Sequence, residues 1–212
     1  MPDSAAMMEY YQVLILSLAA FWLGACPFSV WLGHRFLGKE IRDYGDGNPG
    51  AANVMRAGGR GLFVLAMLLD IGKGFPFVFM AHFVWGLPDM AVVVVGLSAI
   101  LGHAFTPILS FRGGKSMAVT GGVLLALPHY EILFVFIICL LISFLFIEKD
   151  AWTVIVGTAG TMVYMLITKG NSWESLLMLG VLVILTIKHF NDLKTVPTRR
   201  VRILALLQSL RR

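Results

Sequence analysis

The sequence predicts an all-α integral membrane protein, a polytopic bundle of about seven transmembrane helices, some of them short, with glycine-rich loops gathered on the cytoplasmic side. Three observations carry this. Of 212 residues, 58% are apolar and 14% charged, where soluble chains are about a quarter charged, and the mean hydropathy is +0.83. The run 91–110 holds no Asp, Glu, Lys or Arg, and its length is about what one bilayer crossing needs. Lys and Arg cluster at 34–60, 111–116 and 188–212, which the positive-inside rule assigns to the cytoplasm.

The apolar stretches follow in the order 10–33, 61–86, 91–110, 117–128, 130–147, 151–168 and 175–188. Seven crossings fit best; because the fourth and seventh are short, five full crossings with two partial ones is the alternative. An N-terminus carrying Asp3 and Glu9 outside and a basic C-terminus inside require an odd number. Residues 1–11 contain no Lys or Arg, so they do not read as a secretory signal. One membrane domain over 1–212 is expected, since the chain is too short for a separate soluble one. Cys26 and Cys139 lie far apart in apolar segments and read as small core residues rather than a disulfide or metal pair. The tail 198–212 sets Ile203, Leu206, Leu207 and Leu210 on one helical face among five arginines. It reads as an amphipathic helix on an anionic membrane surface, so membrane lipids rather than nucleic acid are its expected partner.

Two glycine-rich loops carry the remaining chemistry. The first reads DYGDGNPGAANVMRAGGR over 43–60. Asn48 before Pro49 resembles an N-cap followed by a proline at the first helical position, and the helix so started sets Asn53 and Arg56 on one face. The second reads SFRGGKSMAVTGG over 110–122, with Gly113 and Gly114 opening an apolar helix. Glycines before a helix let successive N–H groups face one anion, and Arg56 and Lys115 add formal charge. The same glycines also serve tight turns between helices, but two such loops, each with a basic residue, favour two anion sites on one face.

Several chemistries are excluded. Gly114-Lys115-Ser116 ends like a P-loop, but the glycine needed at 109 is Leu109 and no strand precedes it. No histidine is followed by aspartate five positions later, which removes the His-x4-Asp acyltransferases. No metal spacing and no Gly-x-Ser-x-Gly elbow occur, so no metal or other cofactor is expected. Asp70 and Lys73 lie inside an apolar stretch, where charges are expensive; at spacing three they pair with each other or face substrate. His103 and His189 sit near the ends of apolar segments, as interhelical hydrogen bonders or as chemical groups.

Taken in order, these residues resemble the PlsY family of acyl-phosphate:glycerol-3-phosphate acyltransferases. GDGNPGAANVMR matches the first family motif at Gly45, Gly47, Asn48, Gly50, Asn53 and Arg56. DIGKG matches the second at Asp70, Lys73 and Gly74. GHAF and FRGGKSMA match the third at Gly102, His103, Phe105, Phe111, Gly113, Gly114, Lys115 and Ala118, and KHFND matches the last at His189. The chain departs at Asp46 for serine, Ala52 for threonine, Ser116 for glycine and Asp192 for asparagine. The resemblance implies acyl transfer from acyl phosphate to glycerol 3-phosphate in a bacterial-type inner membrane, with lysophosphatidate and phosphate as products. It assigns Asn48, Asn53 and Arg56, with Asp46, Gly47 and Gly50 around them, to one phosphate. Gly113, Gly114 and Lys115 take the other. His103, Lys115 and His189 are the expected catalytic or positioning groups, and Asp70 and Lys73 a supporting pair. A carboxylate 4 Å from a phosphate is repelled by about 4 kcal/mol at an effective dielectric near 20, so Asp46 is expected to pair with Arg42 or Arg56 rather than act as a base. An anion or phosphate-ester transporter and an inactive family paralogue are the competing readings; the missing internal repeat counts against the first.

Overall fold

A computed structural model describes residues 4–197; the expected amphipathic tail lies outside the described residues. These residues fold into helices joined by short loops, in two compact units that divide between Tyr130 and Glu131.

In the first unit, α1 (Ser4–Ala25) breaks at Cys26-Pro27 and resumes as α2 (Phe28–Leu32). Proline has no N–H to continue the ladder and pushes the preceding residue out of the helical region. The short α3 (Ala51–Arg56) follows the first glycine loop. Next come α4 (Arg60–Gly72) and α5 (Pro76–Phe79), joined through Lys73–Phe75, then α6 (Asp89–Ala104) and α7 (Met117–Leu125). Small residues set the packing. α1 lies along α6 so closely that a Cβ on Gly24 would strike the Ala99 carbonyl, and one on Gly102 the Phe21 carbonyl. α7 meets α4 in the same way through Gly122 and the Ile71 carbonyl. Within a bilayer, where lipid is as apolar as leucine, such close backbone contact holds helices together.

The second unit contains most of α8 (Tyr130–Phe146), with α9 (Asp150–Lys169) packed on α10 (Trp173–Lys188) and the short α11 (Phe190–Leu193). Lys169 holds Glu131 at 2.8 Å and Glu174 at 3.3 Å, tying the start of α8 and the start of α10 to the end of α9.

All seven apolar stretches are therefore helical. Among the described residues four spans are long and apolar enough to cross a membrane: Ser4–Leu37, Arg60–Val84, Asp89–Leu109 and Asp150–Lys169. The fifth, α8, has 17 residues, α10 has 16 and α7 has 9. At 1.5 Å per residue, α7 is about 14 Å long, half a hydrocarbon core. Large apolar side chains such as Leu18, Trp22, Phe134 and Leu141 are exposed along these helices, as lipid-covered faces require.

Candidate active site

The first loop rests on a buried apolar cluster of Val30, Ile41, Val54, Ala57 and Ala66. Above it the chain turns at Gly45 and Gly47, with φ of +59° and +71°, a region that glycine enters without steric cost. At Gly45 a Cβ would also sit 2.6 Å from Asn53 Oδ1 and Arg56 Nη1. Between the two glycines Asp46 closes a small network. Its Oδ1 accepts from the Asn48 N–H at 3.3 Å and from Asn53 Nδ2 at 3.0 Å, and lies 3.5 Å from Arg56 Nη1. Asn53 is buried; its Nδ2 also donates to the Asn48 carbonyl at 2.9 Å, and its Oδ1 accepts from Arg56 at 2.7 Å.

One expectation fails here. Asn48 is not the N-cap of α3, which begins at Ala51 behind an extended Gly50. The Asp46 side chain holds the Asn48 N–H and the Asn53 amide holds its carbonyl, so the turn closes upstream of the helix. Asn48, Gly50 and Asn53 build the loop, and the helix carries Asn53 and Arg56 on one face as expected.

The second loop joins the first directly, because Lys115 Nζ lies 2.6 Å from Asp46 Oδ2. Burial raises the pKa of the Asp46 carboxyl, but the hydrogen bond and charge of Lys115, with the Asn48 and Asn53 donors, outweigh it and hold the group below the ordinary carboxylate value. The predicted partner Arg42 instead bonds Glu40 at 2.7 Å, and that hydrogen bond is the main reason the Glu40 pKa falls to about 2. Gly113 and Gly114 do not open α7 as the sequence suggested; the helix starts at Met117 behind Ser116. They lie against the end of α6. The Gly114 N–H donates to the His103 carbonyl at 3.0 Å, and a Cβ there would collide with His103 Nε2. These glycines make room for a histidine. Ser116 stands where the resembling motif has glycine and adopts φ +60°, buried, with Oγ 3.5 Å from the Ile100 carbonyl.

Beneath the loops lies a buried polar group. Asp70 Oδ1 holds Lys73 at 2.9 Å and is 4.0 Å from His103 Nδ1, and Ser29 Oγ donates to Asp70 Oδ2 at 3.4 Å. Lys73 also donates to the Cys26 carbonyl at 2.8 Å, and Thr106 Oγ1 donates to the Ala25 carbonyl at 2.6 Å. Both carbonyls belong to the break between α1 and α2, so side chains just past the ends of α4 and α6 help complete that break. A cavity of about 10 Å³, room for roughly one water, opens among Cys26, Lys73, His103, Thr106 and Gly114. It joins the buried polar group to the second glycine loop.

Of the predicted site residues, Asp46, Gly47, Asn48, Gly50, Asn53, Arg56, Asp70, Lys73, His103, Gly113, Gly114 and Lys115 all fall in the first unit, around the two loops and the cavity. His189 belongs to the second unit, at the end of α10, buried with Nδ1 3.5 Å from Asp192. Ser29 and Thr106 were missed. A proline seventeen residues into the apolar run 10–33 was the available sign that carbonyls there need partners.

The comparisons agree on one family. A family model described as "Glycerol-3-phosphate acyltransferase" matches residues 14–198. A glycerol-3-phosphate acyltransferase of Wolbachia pipientis wMel is 37% identical, covering 88% of this chain and 93% of its own length. That of Pelagibacter ubique (strain HTCC1062) is 33% identical over 91% and 96%. Crystal structures of PlsY (YgiH), an integral membrane glycerol 3-phosphate acyltransferase, have the same fold. The glycerol 3-phosphate form gives a TM-score of 0.76 at 24% identity, covering 91% of this chain and 98% of that one. The lysophosphatidic acid form gives 0.73 at 25%, covering 93% and 92%.

Proposed function

Given that this chain belongs to the glycerol-3-phosphate acyltransferase family, we propose that it transfers a fatty acyl group from an acyl phosphate to the 1-hydroxyl of glycerol 3-phosphate, at the cytoplasmic face of a bacterial inner membrane. The family carries the acceptor and the reaction class. The donor is supported by the resemblance of the motifs, and the membrane side by the clustering of Lys and Arg at 34–60, 111–116 and 188–212. The observation that carries this reading is the 2.6 Å contact between Asp46 and Lys115, which joins two glycine loops of different motifs into one cationic centre with Arg56 beside it. A reaction between two phosphate-bearing substrates needs such a centre.

An acyl phosphate is an activated mixed anhydride, so no covalent enzyme intermediate is required. The acceptor oxygen forms a bond to the acyl carbon, the bond from that carbon to the phosphate oxygen breaks, and the hydroxyl proton ends on the departing phosphate. The protein positions the reactants and stabilises charge. Lys115 and Arg56 meet phosphate oxygens. Asn53 and Asn48 offer N–H donors to the same anion and, with Gly47 and Gly50, hold the first loop in shape; Gly113 lies against the His103 and Ala104 backbone, and Gly114 admits the His103 ring. His103 positions a substrate or handles a proton, oriented by Asp70 and Lys73 below it. For His189 the support is the family motif rather than geometry.

The test supplies purified protein with labelled glycerol 3-phosphate and either acyl phosphate or acyl-CoA. Lysophosphatidate with an equal yield of phosphate is expected from acyl phosphate, and turnover with acyl-CoA at an equal or higher rate would overturn the donor. Reporter fusions should place the N-terminus outside and the C-terminus inside; both on one side would overturn the orientation.

A further inference from the structure

Asp46 occupies the place where that reaction needs an anion. Its two oxygens collect Lys115 at 2.6 Å, Arg56 at 3.5 Å, the Asn53 amide at 3.0 Å and the Asn48 N–H at 3.3 Å. Those are the cations and donors that a phosphate would use. We propose that Asp46 is an internal anion that fills the phosphate seat while substrate is absent, so that phosphate binding is an exchange of one anion for another. The proposal rests on reading the two loops as a phosphate cradle.

Three features favour exchange over a fixed structural pair. The Asp46 side chain is 35% exposed, whereas its partner Asn53 is buried, so the carboxylate has water to move into. Gly45 and Gly47 flank it, and both are already in left-handed backbone where a residue with Cβ resists rotation. A phosphate monoester near neutral pH carries up to two negative charges against one on the carboxylate, so Lys115 and Arg56 gain by the exchange. A monoanion gains nothing from it. Asp46 thereby becomes a specificity-determining residue, raising the charge that a ligand must bring.

The cost is quantitative. If the seat is open in a fraction f of molecules, the apparent dissociation constant is the intrinsic one divided by f. An open fraction of about one tenth makes wild-type phosphate affinity about tenfold weaker than that of a chain without the carboxylate.

The experiment is calorimetric titration of inorganic phosphate into the full-length protein in detergent, for wild type, Asp46→Asn and Asp46→Ser. Asn keeps an oxygen for the Asn48 and Asn53 donors and loses only the charge. Both variants should bind phosphate about tenfold more tightly. Equal or weaker binding in a folded variant overturns the proposal. Should one variant fail to fold, the other is decisive, and the phosphate-induced rise in melting temperature is a second readout with the same expected order. Because the measurement is binding, a chain that shows the tightening but does not acylate glycerol 3-phosphate keeps the exchange and loses the acyltransferase reading. Turnover without the tightening overturns the exchange alone.

Discussion

Replacing Lys73 by methionine should destabilise the protein by about 3–5 kcal/mol, the scale set by leaving a buried charge without its partner. Asp70 is 4% exposed and Lys73 2%. Without Lys73, the Asp70 carboxylate keeps, among the described residues, the Ser29 hydroxyl at 3.4 Å and the His103 ring at 4.0 Å. The Cys26 carbonyl also loses one of its two donors, keeping the Phe28 N–H at 3.0 Å, which adds little beside the stranded charge. Asp70→Asn should cost less, because the amide oxygen still accepts and Lys73 retains the Cys26 carbonyl and the Phe28 ring at 5.4 Å. The double variant carries no buried charge and should recover most of the loss. We expect a coupling of about 2–3 kcal/mol, well above the ~0.5 kcal/mol of independent sites. Unfolding of the four proteins in one detergent measures it, and a coupling below ~0.5 kcal/mol would refute the reasoning. Turnover then assigns the role. A double variant that regains both stability and activity makes the pair a scaffold for the helix break, whereas stability without activity makes it a substrate contact.

Lys115→Ala and Arg56→Ala should each lower the rate at least ~10²-fold, the scale of losing one preorganised donor to developing charge; near-normal kinetics in both folded variants would remove them from the chemistry. Ser116→Gly should raise stability by about 0.5–1 kcal/mol. Left-handed backbone costs a side chain about 1–2 kcal/mol, and glycine returns part of this through its unfolded-state entropy. The 3.5 Å hydroxyl contact is too long to reverse the balance. Melting curves in which Ser116→Gly falls below Ser116→Ala would contradict this. Because the folded Asp46 pKa is depressed, its ion pair contributes fully above the ordinary carboxylate pKa near 4 and is lost as pH falls below it. The stability difference between wild type and Asp46→Asn should thus be constant from pH 7 to about 5 and shrink below about 4; a change between pH 6 and 8 would count against the assignment.

Helix existence was legible because apolar length is a local property: each of the seven stretches became helical, although 10–33 and 61–86 are each interrupted. Interruptions were harder. Residues 10–33 read as one crossing, although Pro27 stood in it, because hydropathy averages over a break that Lys73 and Thr106 help to complete from far along the chain. The short motifs pointed to the right residues, since Asp46, Arg56, His103 and Lys115 do converge. What no spacing encodes is that Asp46 reaches Lys115, 69 positions away, instead of Arg42 nearby. That choice depends on helices α4, α6 and α7 bringing two loops together. The place of Gly113 and Gly114 was misjudged for a related reason, since α7 starts at Met117, beyond them. A glycine that opens a helix and one that packs against the end of a neighbouring helix look the same in sequence, and here Gly114 meets the His103 carbonyl and imidazole.

The broken first helix also sets a schedule for biogenesis. At its break the Cys26 carbonyl, which already accepts from the Phe28 N–H at 3.0 Å, gains Lys73, 47 residues later, and the Ala25 carbonyl finds Thr106, 81 residues later. At a synthesis rate of about 5–20 residues per second, the second donor emerges roughly 4–16 s after the carbonyl it serves. Throughout that interval the nascent helix has a defect that hydrocarbon cannot satisfy, so it must stay beside water or the insertion machinery. Photo-cross-linking from position 26 in nascent chains of increasing length should report insertase contact that ends only after α6 has entered the membrane.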